Sequence, residues 1–229
     1  MSPILALSLI IVLSYLIGSF PTAYVISKTF FGFDIRKKGS GNMGSTNVFR
    51  TLGWKWGVLV QIVDLAKGLI SVLLIANLFE VDLQFGATYF EDKTIVMIIA
   101  GMSAVIGHIL PVYIGFRGGK GINTAAGMLF GIAPIDVSIA FGIFILAVIF
   151  SGYISLGSIL GAVTFPSSLL FRYNFFGVDI PAYNILIYFS AALALLLIYA
   201  HKKNIKRLIE GRENRFKKLH LIKLKKPSD

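Results

Sequence analysis

A chain of 229 residues that is 56% hydrophobic and 14% charged, with mean hydropathy +0.79, carries more apolar surface than a soluble domain of this length can bury, so its solvent is the bilayer. The absence of cysteine excludes disulfides, thiol nucleophiles and zinc–thiolate sites, and three histidines (His108, His201, His220) leave little from which to build a metal site. The net charge of +11 is concentrated at one end, with eleven of the 22 Lys and Arg in the last 29 residues; beside apolar spans this marks a cytoplasmic membrane face rather than a nucleic-acid surface.

In chain order, apolar runs near 3–26, 56–79, 94–115, 122–134, 135–150, 154–171 and 183–200 predict an all-α, polytopic helical bundle of about seven transmembrane helices. No run shows the alternation of a lipid-facing β-barrel strand. The first run has no basic leader and is about as long as a span, so it reads as a retained helix rather than a cleaved signal. The second contains Asp64 and Lys67, in "QIVDLAKGL". Ions inside a span are costly, and the i,i+3 spacing puts these two on one face, so they are expected to pair and to support a site structurally. His108, deep in the third run, is expected to hold a buried hydrogen-bonding role. The fourth and fifth runs fall short of the roughly 20 residues that a span needs. Either each borrows flanking residues or the two form a shallow hairpin around Pro134.

Loop charge predicts the orientation. With the N-terminus outside, the inner segments carry Lys28, Arg36, Lys37, Lys38, Arg50, Lys55, Arg117, Lys120 and the tail cations. The outer segments carry Glu80, Asp82, Glu91, Asp92, Asp136 and Asp179 against Lys93 and Arg172. This asymmetry puts the C-terminus in the cytoplasm. Residues 1–201 then form a transmembrane catalytic domain, and 202–229 a basic tail expected to lie on anionic lipid as an amphipathic helix.

The polar, glycine-rich stretches "KKGSGNMGSTNVFR" (37–50), "GHILPVYIGFRGGKGINTAAG" (107–127), "SGYISLGS" (151–158) and "HKKNIKRLIEG" (201–211) all fall on the predicted cytoplasmic side. In the first, Gly39, Gly41 and Gly44 permit tight turns. Ser40, Asn42, Ser45, Thr46 and Asn47 offer neutral hydrogen-bonding groups, and Arg50 a planar fork suited to phosphate. An ordinary capped loop would have some of the same composition. In the second, Gly118, Gly119, Lys120 and Gly121 precede an apolar helix, an arrangement that combines backbone donors, a positive dipole end and a full charge. A basic turn obeying the positive-inside rule accounts for the lysine but not for the glycines around it. The nucleotide-binding loop G-x-x-x-x-G-K-[ST] is absent, since Gly121 follows Lys120 and Ile114 stands where its first glycine belongs. His201 and Asn204, also i,i+3, end the last span, where the histidine can accept a proton or meet phosphate.

Three of these stretches resemble one family. "GSGNMGSTNVFR" is similar to the signature GSGN-x-GATN-V-x-R. "GHILPVYIGFRGGKGINTAAG" is similar to GH-x-x-PVF-x-x-F-x-GGKGVAT-x-x-G, and "HKKNIKRLIEGRE" to H-x-x-NI-x-RL-x-x-G-x-E. Over about residues 13–213 the chain thus resembles the bacterial membrane acyl-phosphate:glycerol-3-phosphate acyltransferases. It departs from the pattern at Ser45, where alanine is usual, and at Ile122-Asn123, which stand for Val-Ala. The resemblance implies a multi-pass enzyme of the bacterial inner membrane whose site faces the cytoplasm. The implied donor is acyl phosphate and the implied acceptor sn-glycerol 3-phosphate, with no cofactor, metal or nucleic acid, and the chain is expected to act as a monomer. The thioester-using H-x-x-x-x-D acyltransferases are disfavoured, because the fifth residue after His108 is Tyr113 and after His201 is Lys206.

Acyl phosphate is already activated, so no covalent acyl-enzyme is needed, and the sequence shows no Ser–His–Asp arrangement. The expected site works by placement and charge neutralisation. Gly118, Gly119, Lys120 and Gly121 hold one phosphate. Ser40, Gly41, Asn42, Thr46, Asn47 and Arg50 hold phosphate from a facing loop. Ser155, His201 and Asn204 position glycerol 3-phosphate. Either His201 or the acceptor's own phosphate serves as base. The rival reading is a transporter or channel for an organic phosphate, which predicts polar groups on both sides and repeated halves. The sequence shows neither.

Overall fold

A computed structural model describes residues 1–81 and 89–215, and every described element is helical. The chain divides into two compact units, Met1–Ala133 and Pro134–Asp229. Asp82, the side chain of Glu91 and the tail residues Phe216, Leu219 and Ile222 lie outside the described residues.

In the first unit, α1 (Pro3–Ser19) and α2 (Thr22–Phe31) replace the single helix expected over 3–26. Pro21 has no N–H and its ring clashes with a continuing helix, so α1 stops at Ser19. Together the two helices still make an apolar segment long enough to span, Pro3–Phe31. After α2, a one-turn 3₁₀ segment (Ile35–Lys37) leads to α3 (Ser45–Thr51), and α4 (Trp54–Leu73) follows. Then come α5 (Tyr89–Ile109) and α6 (Ile122–Ile132).

Among the described residues, two clusters contribute to the apolar core of this unit. Ala6, Ile10, Ile75, Ala76, Val81, Val96 and Ala100 pack at one, and Ala23, Ile26, Ile35, Met43, Val48 and Val60 at the other. Helix α6 lies against α4 at a separation only glycine permits. A Cβ on Gly68 would come 2.0 Å from the Thr124 carbonyl oxygen, and one on Gly127 would come 1.9 Å from that of Leu65. Close backbone approach through small residues is how helices associate where lipid removes the hydrophobic drive between them.

In the second unit, α7 (Pro134–Ser151) and α8 (Ile154–Asn174) form a hairpin, α9 (Tyr183–Ala200) packs on α8, and α10 (Lys202–Ile209) closes the described chain. Asp136, in the first turn of α7 and 2% exposed, accepts from Ser168 Oγ at 2.7 Å and pairs with Arg172, which staples the hairpin.

Among the described residues, six segments are long and apolar enough to cross a membrane: Pro3–Phe31, Trp54–Asn77, Asp92–Ile114, Pro134–Ser151, Ile154–Asn174 and Tyr183–Ala200. The fourth predicted run becomes α6, with only 11 residues, or about 16 Å of helix. It begins at Gly121 in the left-handed region (φ 76°) and ends at Ala133 before Pro134. Pro134 then starts α7, and this gives the fifth run a full 18 residues. Large apolar side chains such as Ile62, Leu195 and Tyr188 point outward, as a lipid-facing surface requires. The amphipathic tail helix expected over 202–228 is interrupted: α10 stops at Ile209, and Gly211 (φ 64°) turns the chain.

Candidate active site

The first unit gathers the predicted phosphate-handling loops. Asp34 and Arg36 open the first. Arg36 Nε donates to Asp34 Oδ1 at 3.0 Å, Nη2 to Oδ2 at 2.8 Å, and Nη1 to the Ile114 carbonyl at 2.9 Å. The hydrogen bond from the Arg36 guanidinium holds the Asp34 carboxyl below its ordinary value, and the same contact raises Arg36. The loop is organised around Asn47, which is buried. Its Oδ1 accepts from the Ser40 N–H at 2.9 Å, and its Nδ2 donates to the carbonyls of Lys38 (3.1 Å) and Asn42 (2.9 Å). Asn42 Oδ1 accepts from the Gly44 N–H at 2.7 Å. Asn47 and Asn42 therefore shape the loop from within. Ser40, Gly41 and Arg50 are exposed, and Thr46 is half-buried.

The stretch around Lys120 is organised by the end of α5. The N–H groups of Gly118 and Gly119 donate to the carbonyls of Ile109 (3.0 Å) and His108 (3.1 Å). These amides complete the C-terminus of α5, and the exposed Lys120 follows them, just before the half-buried first turn of α6. No side chain caps that first turn. Besides the Arg36–Ile114 bond, a second contact ties the two loops together: Asn123 Nδ2, on α6, donates to Ser45 Oγ, on α3, at 3.1 Å.

Behind the turn lie the expected support residues. Lys67 Nζ donates to Asp64 Oδ1 and to the Phe20 carbonyl, both at 2.6 Å. Thr22 Oγ1 donates to Asp64 Oδ1 at 3.3 Å, and His108 Nδ1 lies 3.7 Å from the same oxygen. The ion pair thus satisfies the backbone at the α1–α2 break.

The second unit brings Ser155 and Asn204 together on a residue to which the sequence reading gave no role. Ser155 Oγ (3.0 Å) and Asn204 Nδ2 (2.8 Å) both donate to Glu213 Oε1, and Arg207 Nε donates to Oε2 at 2.6 Å. The Glu213 side chain is 6% exposed. Burial alone would raise its carboxyl, but the bonds from Arg207, Asn204 and Ser155, with the Arg207 charge, hold it below the ordinary value. His201 is buried, with Nδ1 2.8 Å from the Leu197 carbonyl oxygen. A carbonyl only accepts, so Nδ1 carries the proton and Nε2 is the basic nitrogen of the neutral ring.

Residues 8–211 match the family model described as glycerol-3-phosphate acyltransferase. The chain belongs to the glycerol-3-phosphate acyltransferase family. It is 46% identical over 221 residues to the glycerol-3-phosphate acyltransferase of Chlorobaculum tepidum, which covers 90% of this chain and 94% of that one. It is 42% identical over 231 residues to that of Chlorobium phaeobacteroides, covering 93% and 97%. Among solved structures, it is similar to PlsY (YgiH), an integral membrane glycerol 3-phosphate acyltransferase. The glycerol 3-phosphate form of that protein is 35% identical, with TM-score 0.73 over 92% of this chain and 95% of that one. The lysophosphatidic acid form is 34% identical, with TM-score 0.71 over 93% and 97%.

Within this acyltransferase family framework, the sequence reading gave no role to Glu213 or Asn123, and it counted Ser45 among the hydrogen-bonding groups of its loop without a partner. Glu213 closes the third motif as its final acidic position, so its place was visible although its role was not. Ser45 and Asn123 are the two departures from the family pattern that add a polar group, and nothing in a linear sequence shows that they meet.

Proposed function

We propose that this chain transfers a fatty acyl group from acyl phosphate to the 1-hydroxyl of sn-glycerol 3-phosphate, releasing phosphate and 1-acylglycerol 3-phosphate at the cytoplasmic face of the bacterial inner membrane. The observation that carries this reading is the meeting of the Arg50 loop and the Lys120 turn through Asn123 and Ser45. Two exposed cations of one compact unit, Lys120 on a glycine-rich turn and Arg50 on the short helix after a glycine-rich loop, suit a reaction in which both substrates bear phosphate. Membership of the family supports the same chemistry, and the solved relative is known in forms named for the acceptor and the product.

The acceptor hydroxyl attacks the acyl carbonyl carbon, the C–O bond to phosphate breaks, and phosphate leaves with the electron pair. Lys120 and Arg50 neutralise phosphate charge, helped by the first turn of α6 and by Ser40, Gly41 and Thr46. Gly118, Gly119 and Gly121 give the turn its shape, and Asn42 and Asn47 do the same for the facing loop. Asp64, Lys67 and His108 support the turn from behind. In the second unit Ser155 and Asn204 position glycerol 3-phosphate, with Glu213 orienting both. His201 Nε2 or the acceptor's own phosphate takes the hydroxyl proton. The chain acts as a monomer, with membrane lipid around it.

Purified protein is incubated with palmitoyl phosphate and labelled glycerol 3-phosphate. Lysophosphatidate is the expected product, and parallel incubations with palmitoyl-CoA and palmitoyl-acyl carrier protein yield none. Product from a thioester donor alone would overturn the assignment of the donor.

A further inference from the structure

The bond between Asn123 and Ser45 joins two helix starts. Ser45 is the first residue of α3 and Asn123 the second of α6, and neither helix has a side-chain cap of its own. Ser45 is 8% exposed and Asn123 half-buried, so water competes poorly for the contact. Lys120 lies three residues before Asn123, across the left-handed Gly121. Arg50 lies five residues after Ser45, on the same short helix.

Each cation is exposed, Lys120 on a turn and Arg50 on the helix that follows its loop, and each of these has its own shape set locally. The Lys120 turn is set by the amides of Gly118 and Gly119 on α5, and the Arg50 loop by Asn47. The Asn123–Ser45 bond links the two at the helix starts that carry the cations, beside the bond from Arg36 Nη1 to the Ile114 carbonyl. We propose that Ser45 and Asn123 are positioning residues that fix the separation of the Arg50 loop and the Lys120 turn, so that a phosphate-bearing substrate meets both cations in one frame. Neither residue touches the reacting atoms; they act through Arg50 and Lys120. This inference rests on the acyl-transfer reading above.

The test uses the full chain with palmitoyl phosphate and glycerol 3-phosphate, in five forms: parent, Ser45→Ala, Asn123→Ala, the double variant, and Ser45→Thr, which keeps the hydroxyl. A single neutral hydrogen bond is worth roughly a three- to tenfold change. Each alanine variant should therefore raise KM for at least one of the two substrates by about that factor, with kcat changed less than about twofold and an unchanged unfolding midpoint. The double variant should be no worse than either single variant, because both remove the same contact. Ser45→Thr should match the parent. Additive losses, a Ser45→Thr variant as impaired as Ser45→Ala, unchanged KM in both single variants, or a KM rise that only follows a falling unfolding midpoint would each overturn the proposal. Inactivity of the parent itself would instead overturn the acyl-transfer reading.

Discussion

Lys67 Nζ lies 2.6 Å from the carbonyl oxygen of Phe20, so a cation on α4 closes the break between α1 and α2. Phe20 is the residue before Pro21, and its carbonyl lacks a continuing helix to serve. Asp64 completes the arrangement by accepting from Lys67 and from Thr22 at the start of α2. The ion pair is thus a repair of broken backbone inside an apolar span.

That arrangement predicts an asymmetric set of variants. Lys67→Met leaves Asp64 buried without its cation, and loss of one member of a buried pair costs about 3–5 kcal/mol. The double variant Asp64→Leu/Lys67→Met removes both charges and should recover part of the loss. It should still fall about 1 kcal/mol short of the parent, because the Phe20 carbonyl keeps the Thr22 N–H (3.0 Å) but loses its charged donor. Unfolding in mixed micelles measures all three proteins. A double variant as stable as the parent would show that the contact to Phe20 contributes nothing.

The pair itself was legible in the sequence, since Asp64 and Lys67 have helical spacing inside an apolar run, and a charge in lipid must find a partner. Their second partner was not legible. Pro21 marks a break, but sequence does not say which carbonyl the lysine will reach 47 positions away. The glycine motif around Lys120 shows the same division. Composition and charge picked out the stretch, whereas the use of two of its amides to finish α5 depends on the path of the chain after Pro111. Glu213 was hidden for another reason: three donors converge on it, one from α8 and two from α10, and convergence is a property of folded geometry. Spans were read well where apolar runs were long. The fourth run misled because a short buried helix and a truncated span have the same composition.

Lys120→Ala and Arg50→Ala should each lower kcat/KM for transfer from palmitoyl phosphate by about 100-fold or more, the usual cost of removing a group that stabilises developing charge. Both residues are exposed, so the proteins should insert and unfold as the parent does. Activity is followed by lysophosphatidate formation and folding by size-exclusion profile and unfolding midpoint. Near-parental activity in either variant would remove that residue from the site.

Glu213 and Asp34 predict the acid limit of stability. Both carboxyls are held below their ordinary values of 4.5 and 3.8 by partners present only in the folded chain. A depressed folded-state value means that the carboxylate contributes stability above the unfolded value, and that this contribution is lost as pH falls through the folded one. Stability should therefore decline as pH drops below about 4.5. Glu213→Gln lacks the titrating group, so it should be less stable than the parent at pH 7 and the two curves should converge under acid. Its activity should fall as well, since Ser155 and Asn204 lose the acceptor that orients them. Parallel curves from pH 7 to acid would mean that Glu213 makes no net contribution through its charge.

Gly118 and Gly119 are adjacent but meet different obstacles, and this allows a crossed test of how the turn is built. A Cβ on Gly118 would come 2.0 Å from the His108 carbonyl oxygen and 2.7 Å from that of Ile109, and main chain cannot move aside. A Cβ on Gly119 would come 2.2 Å from His108 Nε2, a side-chain atom. Each alanine substitution should destabilise by about 1–3 kcal/mol, with Gly118→Ala the worse of the two. Adding His108→Ala removes the imidazole but leaves the carbonyl. The pair Gly119→Ala/His108→Ala should therefore unfold at a higher midpoint than Gly119→Ala alone, while Gly118→Ala/His108→Ala should be no better than Gly118→Ala. Equal behaviour of the two pairs would mean that the turn does not pack on His108 in this way, and that the glycines serve the site rather than the end of α5.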